Sequence, residues 1–304
     1  MAAEADPRWG LAARGGTVEA GSPAFEFPLR QRAEIWADEV SHLYAQGLAS
    51  QWDPATAVDW DDPFELEDEI EDAVVQIMTY LVENETAALV LPARFAAQVH
   101  PHYREVMQFL ALQAAEEARH MEVFQRRAVL RRPRPGLSTA GGQASLKTLV
   151  DERDFAEAAL LLSVLGEGSF LALLQFLAEY GPDPVTRTIA RLAAQDEARH
   201  VAFAVSHLAS HVEAEPEVLG RLENAIRRRH EALANTSGLN EEVFDALVVL
   251  AAGRFMPAAL REGWHRVQGL QATMHRGRRL RLARLGFGDE LAEELASLHT
   301  RNFM

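Results

Sequence analysis

The chain carries the sequence AAEEARH at residues 114–120 and AQDEARH at residues 194–200, so the tetrapeptide EARH occurs twice, 80 positions apart. Each copy holds a glutamate and a histidine three residues apart, and these pairs are Glu117 with His120 and Glu197 with His200. Residues at i and i+3 project from the same face of an α-helix. Each copy therefore predicts a carboxylate and an imidazole that together bind one metal ion.

Each EARH copy also has an acidic residue upstream at a similar distance. Glu85 lies 32 positions before Glu117, and Glu167 lies 30 positions before Glu197. This interval fits one helix that runs up a bundle and a second that runs back, which brings each pair to a similar depth. Four helices would then supply four carboxylates and two imidazoles, the ligand set of helical bundles that bind two iron or manganese ions.

The periodicity of apolar residues predicts which acids point inward. Glu85 shares a helical stripe with Met78 and Leu81, whereas Glu83 shares its stripe with the polar residue Gln76. The same spacing places both EARH pairs on apolar faces. We therefore expect Glu85 to be a metal ligand and Glu83 to lie outside the site.

Glu167 is the only formally charged residue in the range 158–178. An unpaired buried carboxylate costs several kcal/mol, so this group is expected to be paired, protonated or bound to a cation. Gly166 and Gly168 flank it, although each glycine costs about 1 kcal/mol of helix propensity relative to alanine. Their missing side chains leave room for dioxygen or substrate in one interpretation, and ordinary helix packing is the alternative. We expect Glu117 and Glu167 to bridge two ions.

Ligand chemistry predicts the metal. The chain has no cysteine, which excludes thiolate zinc sites, cysteine-ligated clusters and disulfides. Carboxylates with a few imidazoles suit iron or manganese. Asp196 and Glu116 directly precede the ligating glutamates, and each is a candidate acceptor for the free N–H of the histidine on the opposite helix. The alternative for both residues is ordinary surface charge.

The remaining pattern predicts an all-α protein. Long helical segments are expected at about 64–97, 103–131, 152–180 and 184–213, with a helix from Leu29 through Tyr44 before them and helices at 216–234, 240–275 and 288–299 after them. The predicted fold is a four-helix bundle with additional N- and C-terminal helices. We interpret residues 1–28 as a mobile or surface-hugging arm and 29–304 as one domain with its bundle core at about 64–213.

Charge and hydropathy limit the partners. The net charge of −15 disfavours nucleic acid as a ligand. Arginine clusters at 126–134, 227–229 and 276–284 are interpreted as cations near helix ends, with docking of an acidic partner as the alternative. The apolar stretch 158–178 approaches the length of a membrane span, but Glu167 at its centre favours a buried bundle helix. No signal-peptide pattern opens the chain, which predicts a cytoplasmic protein without a membrane partner.

At these residues the chain resembles the ferritin-like di-iron carboxylate superfamily, especially its oxygen-activating branch. That branch contains ribonucleotide reductase small subunits, multicomponent monooxygenases, soluble acyl desaturases and aminobenzoate N-oxygenases. The resemblance covers about 64–213 and rests on Glu85, EARH at 117–120, Glu167 and DEARH at 196–200. It implies two iron ions or a Mn/Fe pair, dioxygen and a small organic substrate, an electron donor protein or other reductant, and a homodimer as a common assembly.

At two positions the sequence differs from particular members of this branch. Phe124 occupies the position of the radical-forming tyrosine of reductase small subunits, and Ala193 occupies that of an additional histidine in arylamine N-oxygenases. Trp52 and Trp60, in the segment QWDPATAVDW, are interpreted as aromatic anchors, with an electron path to the metals as the alternative. We expect an oxidase; a ferroxidase or iron-storage protein, or an interaction protein with a structural metal, are the alternatives.

Overall fold

The structure, a computed structural model, describes residues 3–234 and 241–298. Within these ranges it is helical, with only two isolated β-bridges and no named strand, which confirms the all-α class. The α-helices are α1 Val40–Ala49, α2 Asp68–Ala96, α3 Arg104–Ala128, α4 Ala140–Val150, α5 Phe155–Ala159, α6 Gly168–Tyr180, α7 Pro184–Ala214, α8 Val218–Ala234, α9 Glu241–Ala252, α10 Pro257–Arg284 and α11 Asp289–Ser297.

The predicted four-helix bundle is confirmed. It consists of α2, α3, the continuous helix that α5 and α6 form across Leu160–Glu167, and α7. Helix α7 begins sharply because Asp183 caps it through a bond from the Thr186 amide (2.8 Å) and Pro184 occupies its first turn. Apolar faces of the four helices form two buried clusters, one on each side of the EARH motifs.

The third bundle helix is not a regular α-helix throughout. Leu160–Glu167 is a π segment, in which the amide of Gly168 reaches back to the Ser163 carbonyl. Every residue of this π segment is buried. The whole helix, Phe155–Tyr180, is the one unbent helix in the described ranges with the length and apolarity of a membrane span, and 83% of its most apolar window lies inside the protein.

The start of the helix predicted from Leu29 is wrong, because α1 begins only at Val40, although the helix predicted through Tyr44 is confirmed from that point. The backbone of Leu29 instead pairs with the segment beside Val99: its amide donates to the Gln98 carbonyl at 3.1 Å. Ile35 and Ala37 of this stretch are completely buried, whereas Leu29 and Trp36 are half-buried. Part of the N-terminal segment packs here too, since the amide of Ala5 donates to the Arg30 carbonyl at 2.9 Å.

The single helix predicted at 240–275 is also wrong. It is divided into α9 and α10, which meet at a bend of 116°. Gly253 stops α9 in the left-handed conformation (φ 67°), and Pro257 opens α10, which continues to Arg284. Helix α4 was not predicted. Helices α8 and α11 confirm the other two C-terminal predictions to within a few residues, whereas the predicted break SGLN and residue 299 lie outside the described residues.

One arginine of the 126–134 cluster is completely buried. Arg127 of α3 bonds Glu71 of α2 at 2.7 Å and Asp183, the cap of α7, at 2.9 Å. Because both carboxylates offset its charge, Arg127 ties three helices together near one end of the bundle. This interaction fixes the helices that carry the EARH motifs relative to α2.

Candidate metal centre

The six residues predicted to bind metal lie together in the middle of the bundle. All six are buried, and none is more than 4% exposed. Their ligand atoms fall into two overlapping groups whose members lie within 4.8 Å of one another: Glu85, Glu117, His120 and Glu197, which we call the first position, and Glu117, Glu167, Glu197 and His200, which we call the second position.

Glu117 and Glu197 belong to both positions. The bridging role of Glu117 and Glu167 stays a prediction. Glu167 lies in the second position only, whereas Glu197 lies in both, so the geometry favours Glu197 as the second shared carboxylate. The two shared glutamates come from the two EARH motifs, and Glu85 and Glu167 each serve one position. Glu83 belongs to neither group, as its polar stripe predicts.

Both histidines turn the same ring nitrogen towards the carboxylates. His120 Nδ1 lies 3.1 Å from Glu117 Oε2 and 3.3 Å from Glu197 Oε1. His200 Nδ1 lies 2.9 Å from Glu117 Oε1 and 3.4 Å from Glu197 Oε2. The Nδ1 atoms are therefore the ones that face the candidate ions.

The outward nitrogens bond to the acids that precede the glutamates. His120 Nε2 lies 3.1 Å from Asp196 Oδ2, and His200 Nε2 lies 2.8 Å from Glu116 Oε2. Each contact joins α3 to α7, so the predicted pairing of histidines with acids on the opposite helix is confirmed. A carboxylate only accepts in this arrangement, so Nε2 is the donor of each imidazole. A neutral imidazole with its proton on Nε2 offers Nδ1 to a metal.

Two arginines of this layer were missed, although the sequence signals them. Arg119 and Arg199 are the arginines of the two EARH copies. Arg119 Nη2 donates to Asp196 Oδ2 at 2.7 Å, and Arg199 Nη2 donates to Glu116 Oε1 at 2.7 Å and to Asp196 Oδ1 at 2.5 Å. They offset the charge of both acids, so the arginine of each EARH copy, and not only its ligands, has a role at this site.

Without a bound cation, the electrostatics of the cluster favour protonation of Glu85, Glu167 and both histidines. Burial, reinforced by Glu117 and Glu197, raises the pKa of Glu85 well above its usual value, and burial with the same two carboxylates raises the pKa of Glu167. Burial alone would lower the pKa of His120 and His200, but the surrounding carboxylates raise it well above the ordinary value. The His200 and His120 imidazoles outweigh burial and lower the pKa of Glu117.

The residues fit two divalent cations. Buried polar atoms normally have hydrogen-bond partners. Within the described residues, however, six atoms of the cluster have none: Glu85 Oε1, Glu117 Oε1, Glu167 Oε2, both carboxylate oxygens of Glu197, and His200 Nδ1. The close approach of His200 to Glu117 thus lacks hydrogen-bond geometry. Four ionised carboxylates and two neutral imidazoles balance the charge of two divalent ions.

Solved structures with a similar arrangement of helices include R2-like ligand-binding oxidases. A single-residue variant with an aerobically reconstituted Mn/Fe cofactor has a TM-score of 0.54 and 17% identity, covering 86% of this chain and 94% of that chain. The fold is that of the R2-like ligand-binding oxidases. The oxidase from Sulfolobus acidocaldarius has a TM-score of 0.54 and 17% identity over 87% of this chain and 96% of its own. No protein-family model and no curated protein sequence matches the chain.

In this R2-like fold, the room expected beside Glu167 is not empty. A Cβ atom at Gly168 would lie 2.5 Å from Arg281 Cζ, so the guanidinium of Arg281 fills that space. At Gly166 a Cβ atom would lie 3.3 Å from the Leu161 carbonyl oxygen. The glycines therefore admit close packing, which is the alternative interpretation, and Gly168 leaves no room for dioxygen or substrate.

A cavity of about 20 Å³ lies beside the second position, next to Gln113. Its wall is apolar except for Gln113 and Ser163. Gln113 Nε2 donates to Glu167 Oε1 at 3.1 Å, which puts this end of the cavity beside the candidate ions. Phe124 is buried on the opposite side, with its ring centroid 6.4 Å from that of His120.

Only one of the two tryptophans connects to the site. Trp52 Nε1 donates to Asp196 Oδ2 at 2.8 Å, and its ring stacks at 6.4 Å from the His120 ring. Trp60 Nε1 instead donates to the Pro54 carbonyl, and Arg126 covers its ring. Trp60 is thus an anchor, whereas Trp52 joins the surface segment to the His120 side of the centre.

Proposed function

We propose that this chain is a dinuclear metal oxidase that uses dioxygen to oxidise a small organic substrate. In this proposal it holds two iron ions, with one manganese and one iron as the alternative pair. One observation carries the proposal: four carboxylates and two imidazoles are buried together while six of their atoms lack hydrogen-bond partners. Solved R2-like oxidases with Mn/Fe cofactors share the fold, which supports it further.

The chain's own residues would divide the work of binding. Glu85 and His120 would serve the first position, Glu167 and His200 the second, and Glu117 and Glu197 both. Bound ions of this kind supply electrons and open coordination positions for the reduction of dioxygen. Asp196 and Glu116 hold the imidazoles in the tautomer that ligation needs.

The reaction needs a reductant. Insertion of one oxygen atom of dioxygen into a substrate consumes two electrons and two protons, and the second oxygen atom leaves as water. An electron donor protein is the class of partner proposed for those electrons. Trp52, Asp196 and His120 form an unbroken hydrogen-bonded path towards the first position, and we assign electron entry to it.

The cavity beside Gln113 and Ser163 is suited to an apolar gas. A volume of about 20 Å³ exceeds the roughly 10–15 Å³ that one water needs. Its apolar wall disfavours water, which would have few polar partners there. It therefore fits dioxygen, and a larger substrate enters only when side chains such as Phe203 or Leu162 move aside.

The test uses the metal-loaded protein. Iron is added without oxygen to wild type, to His200→Ala and to the control Glu83→Ala, and each is mixed with dioxygen while oxygen uptake and visible absorption are followed. We expect rapid oxygen uptake with transient visible absorption in wild type and Glu83→Ala but not in His200→Ala. Once a substrate and a reductant are added, the first two proteins should form oxidised product. Mineral accumulation would instead indicate iron storage, and inert metal a structural role.

A further inference from the structure

The side chain of Arg281 lies against the backbone on both sides of Glu167. Its Nε donates to the carbonyl of Val164 at 2.6 Å. Its guanidinium also occupies the space that a side chain at position 168 would fill, since a Cβ atom there would lie 2.5 Å from Cζ and still closer to Nε. Helix α10 thus touches the π segment one turn before Glu167 and at the residue directly after it.

Few interactions stabilise the Arg281 side chain in this position. Burial lowers its pKa to about 10, so it carries its charge at neutral pH. Its Nη2 has no hydrogen-bond partner, and it forms no ion pair with a carboxylate anywhere in residues 3–234 and 241–298. Its side chain is only partly buried, but the buried Nη2 is removed from water without a partner, which costs free energy. Among the described residues, the hydrogen bond that Arg281 makes is to the π segment.

The π segment determines where Glu167 points. Hydrogen bonds from residue i to i−5 place one additional residue in the turn, and such turns often occur at functional sites. A return of Leu160–Glu167 to regular α-helical bonding would rotate the residues at its end by about 100°, one residue of a 3.6-residue turn. Glu167 is the last residue of the segment, so its carboxylate would turn away from Glu117 and Glu197.

We propose that Arg281 is a positioning residue that holds the π segment in register and thereby keeps Glu167 at the second metal position. This inference rests on the proposed metal site. In the described part of the chain, no hydrogen bond or ion pair joins Arg281 to a ligand of the first position, and the segment that it contacts carries Glu167, so its loss affects the two positions unequally. Gly168 is the other half of the arrangement, because only a residue without a side chain admits the guanidinium.

The test is an anaerobic titration of metal-free protein with Co²⁺, whose visible absorption reports each position, repeated with Mn²⁺. Arg281→Met keeps the length of the side chain and removes the donor. We expect it to retain affinity at the first position and to lose about 10-fold or more at the second. Arg281→Lys restores part of the loss, because its ammonium can donate to the Val164 carbonyl. Arg284→Met, an exposed arginine on the same helix, is the matched control and remains like wild type.

Gly168→Ala provides a second, independent variant. Alanine favours a helix by about 1 kcal/mol over glycine, yet its methyl group would displace the guanidinium, so we expect the same selective loss. Combining it with Arg281→Met should add no further loss, since both remove one interaction. Equal weakening of both positions, or an unchanged second position, would overturn the role of Arg281. Failure of the wild type to bind two ions would instead overturn the proposed function.

Discussion

Asp196 Oδ2 lies 3.1 Å from His120 Nε2, although the two residues are 76 positions apart in the chain. The reverse contact, from His200 to Glu116, spans the same two helices in the opposite sense. Each EARH copy therefore contributes a ligand pair to the centre and is oriented by the acid that precedes the other copy. The two repeated motifs of the sequence therefore orient each other's histidines in the structure.

The first prediction concerns Asp196. Asp196→Asn keeps the shape of the side chain but removes the charge that His120, Arg119 and Arg199 face. We expect metal affinity at the first position to fall by about 10- to 100-fold, as is typical of residues that orient a ligand. Calorimetric titration of the metal-free protein measures this change. Glu122→Gln, an exposed acid on α3, is the control, and an equal effect of both variants would refute the orienting role.

A second prediction separates the two tryptophans. Trp52→Phe removes the N–H that reaches Asp196 while keeping an aromatic ring. Reduction of the oxidised centre by an external donor should become slower, because the hydrogen bond that connects the indole to Asp196 is lost. Metal content should stay unchanged.

Trp60→Phe is the control for that comparison, because its indole bonds only the Pro54 carbonyl. Stopped-flow spectroscopy measures the reduction rate of both variants. Equal rates in Trp52→Phe and wild type would exclude electron entry through Trp52.

A third prediction links metal binding to pH. The pKa values of Glu85, Glu167, His120 and His200 are raised in the metal-free protein, by burial and neighbouring carboxylates for the acids and by carboxylates for the imidazoles. Protons therefore compete with metal as the pH falls, so affinity should increase from mildly acidic to mildly alkaline buffer, and binding should release protons. Titration calorimetry in buffers of different ionisation enthalpy counts those protons. An affinity that is independent of pH would contradict the assignment.

A fourth prediction concerns acid stability. His207 is completely buried between Phe155 and Phe203, and burial, helped by His211, lowers its pKa from 6.5 to about 3. As the pH falls, the His207 imidazole therefore binds a proton in the unfolded chain before it does so in the folded protein. The contribution to the free energy of unfolding is fully present above about pH 6.5 and is lost as the pH falls towards 3, by at most about 1.4 kcal/mol per pH unit.

His207→Phe should consequently be less sensitive to acid than wild type. Denaturant unfolding at several pH values measures the slope, with exposed His42→Gln as the control. An unchanged slope in His207→Phe would show that His207 is not the group responsible.

Much of the centre could be predicted because each ligand obeys a local rule. Glu85, both EARH pairs and Glu167 lie on apolar faces with a helical period, and convergence of those faces follows from the bundle. Asp196 and Glu116 could be predicted too, since they directly precede ligands. The break between α9 and α10 was also signalled, by Gly253 and Pro257.

Other features depend on contacts that no local pattern encodes. The segment from Leu29 has a helical period but gives its backbone hydrogen bonds to Gln98 and its neighbours. The π segment retains the apolar composition of an α-helix and differs only in its bonding register. The space at Gly168 is filled by Arg281, more than a hundred positions later, which only tertiary structure reveals.

Metal analysis of purified protein after anaerobic loading tests directly whether the six residues bind two metal ions. We expect two metal ions per chain in wild type and in Glu83→Ala. Glu167→Ala and His200→Ala should each lose at least one ion. Full occupancy in both of these ligand variants would contradict the assignment of the six residues as a dinuclear metal site.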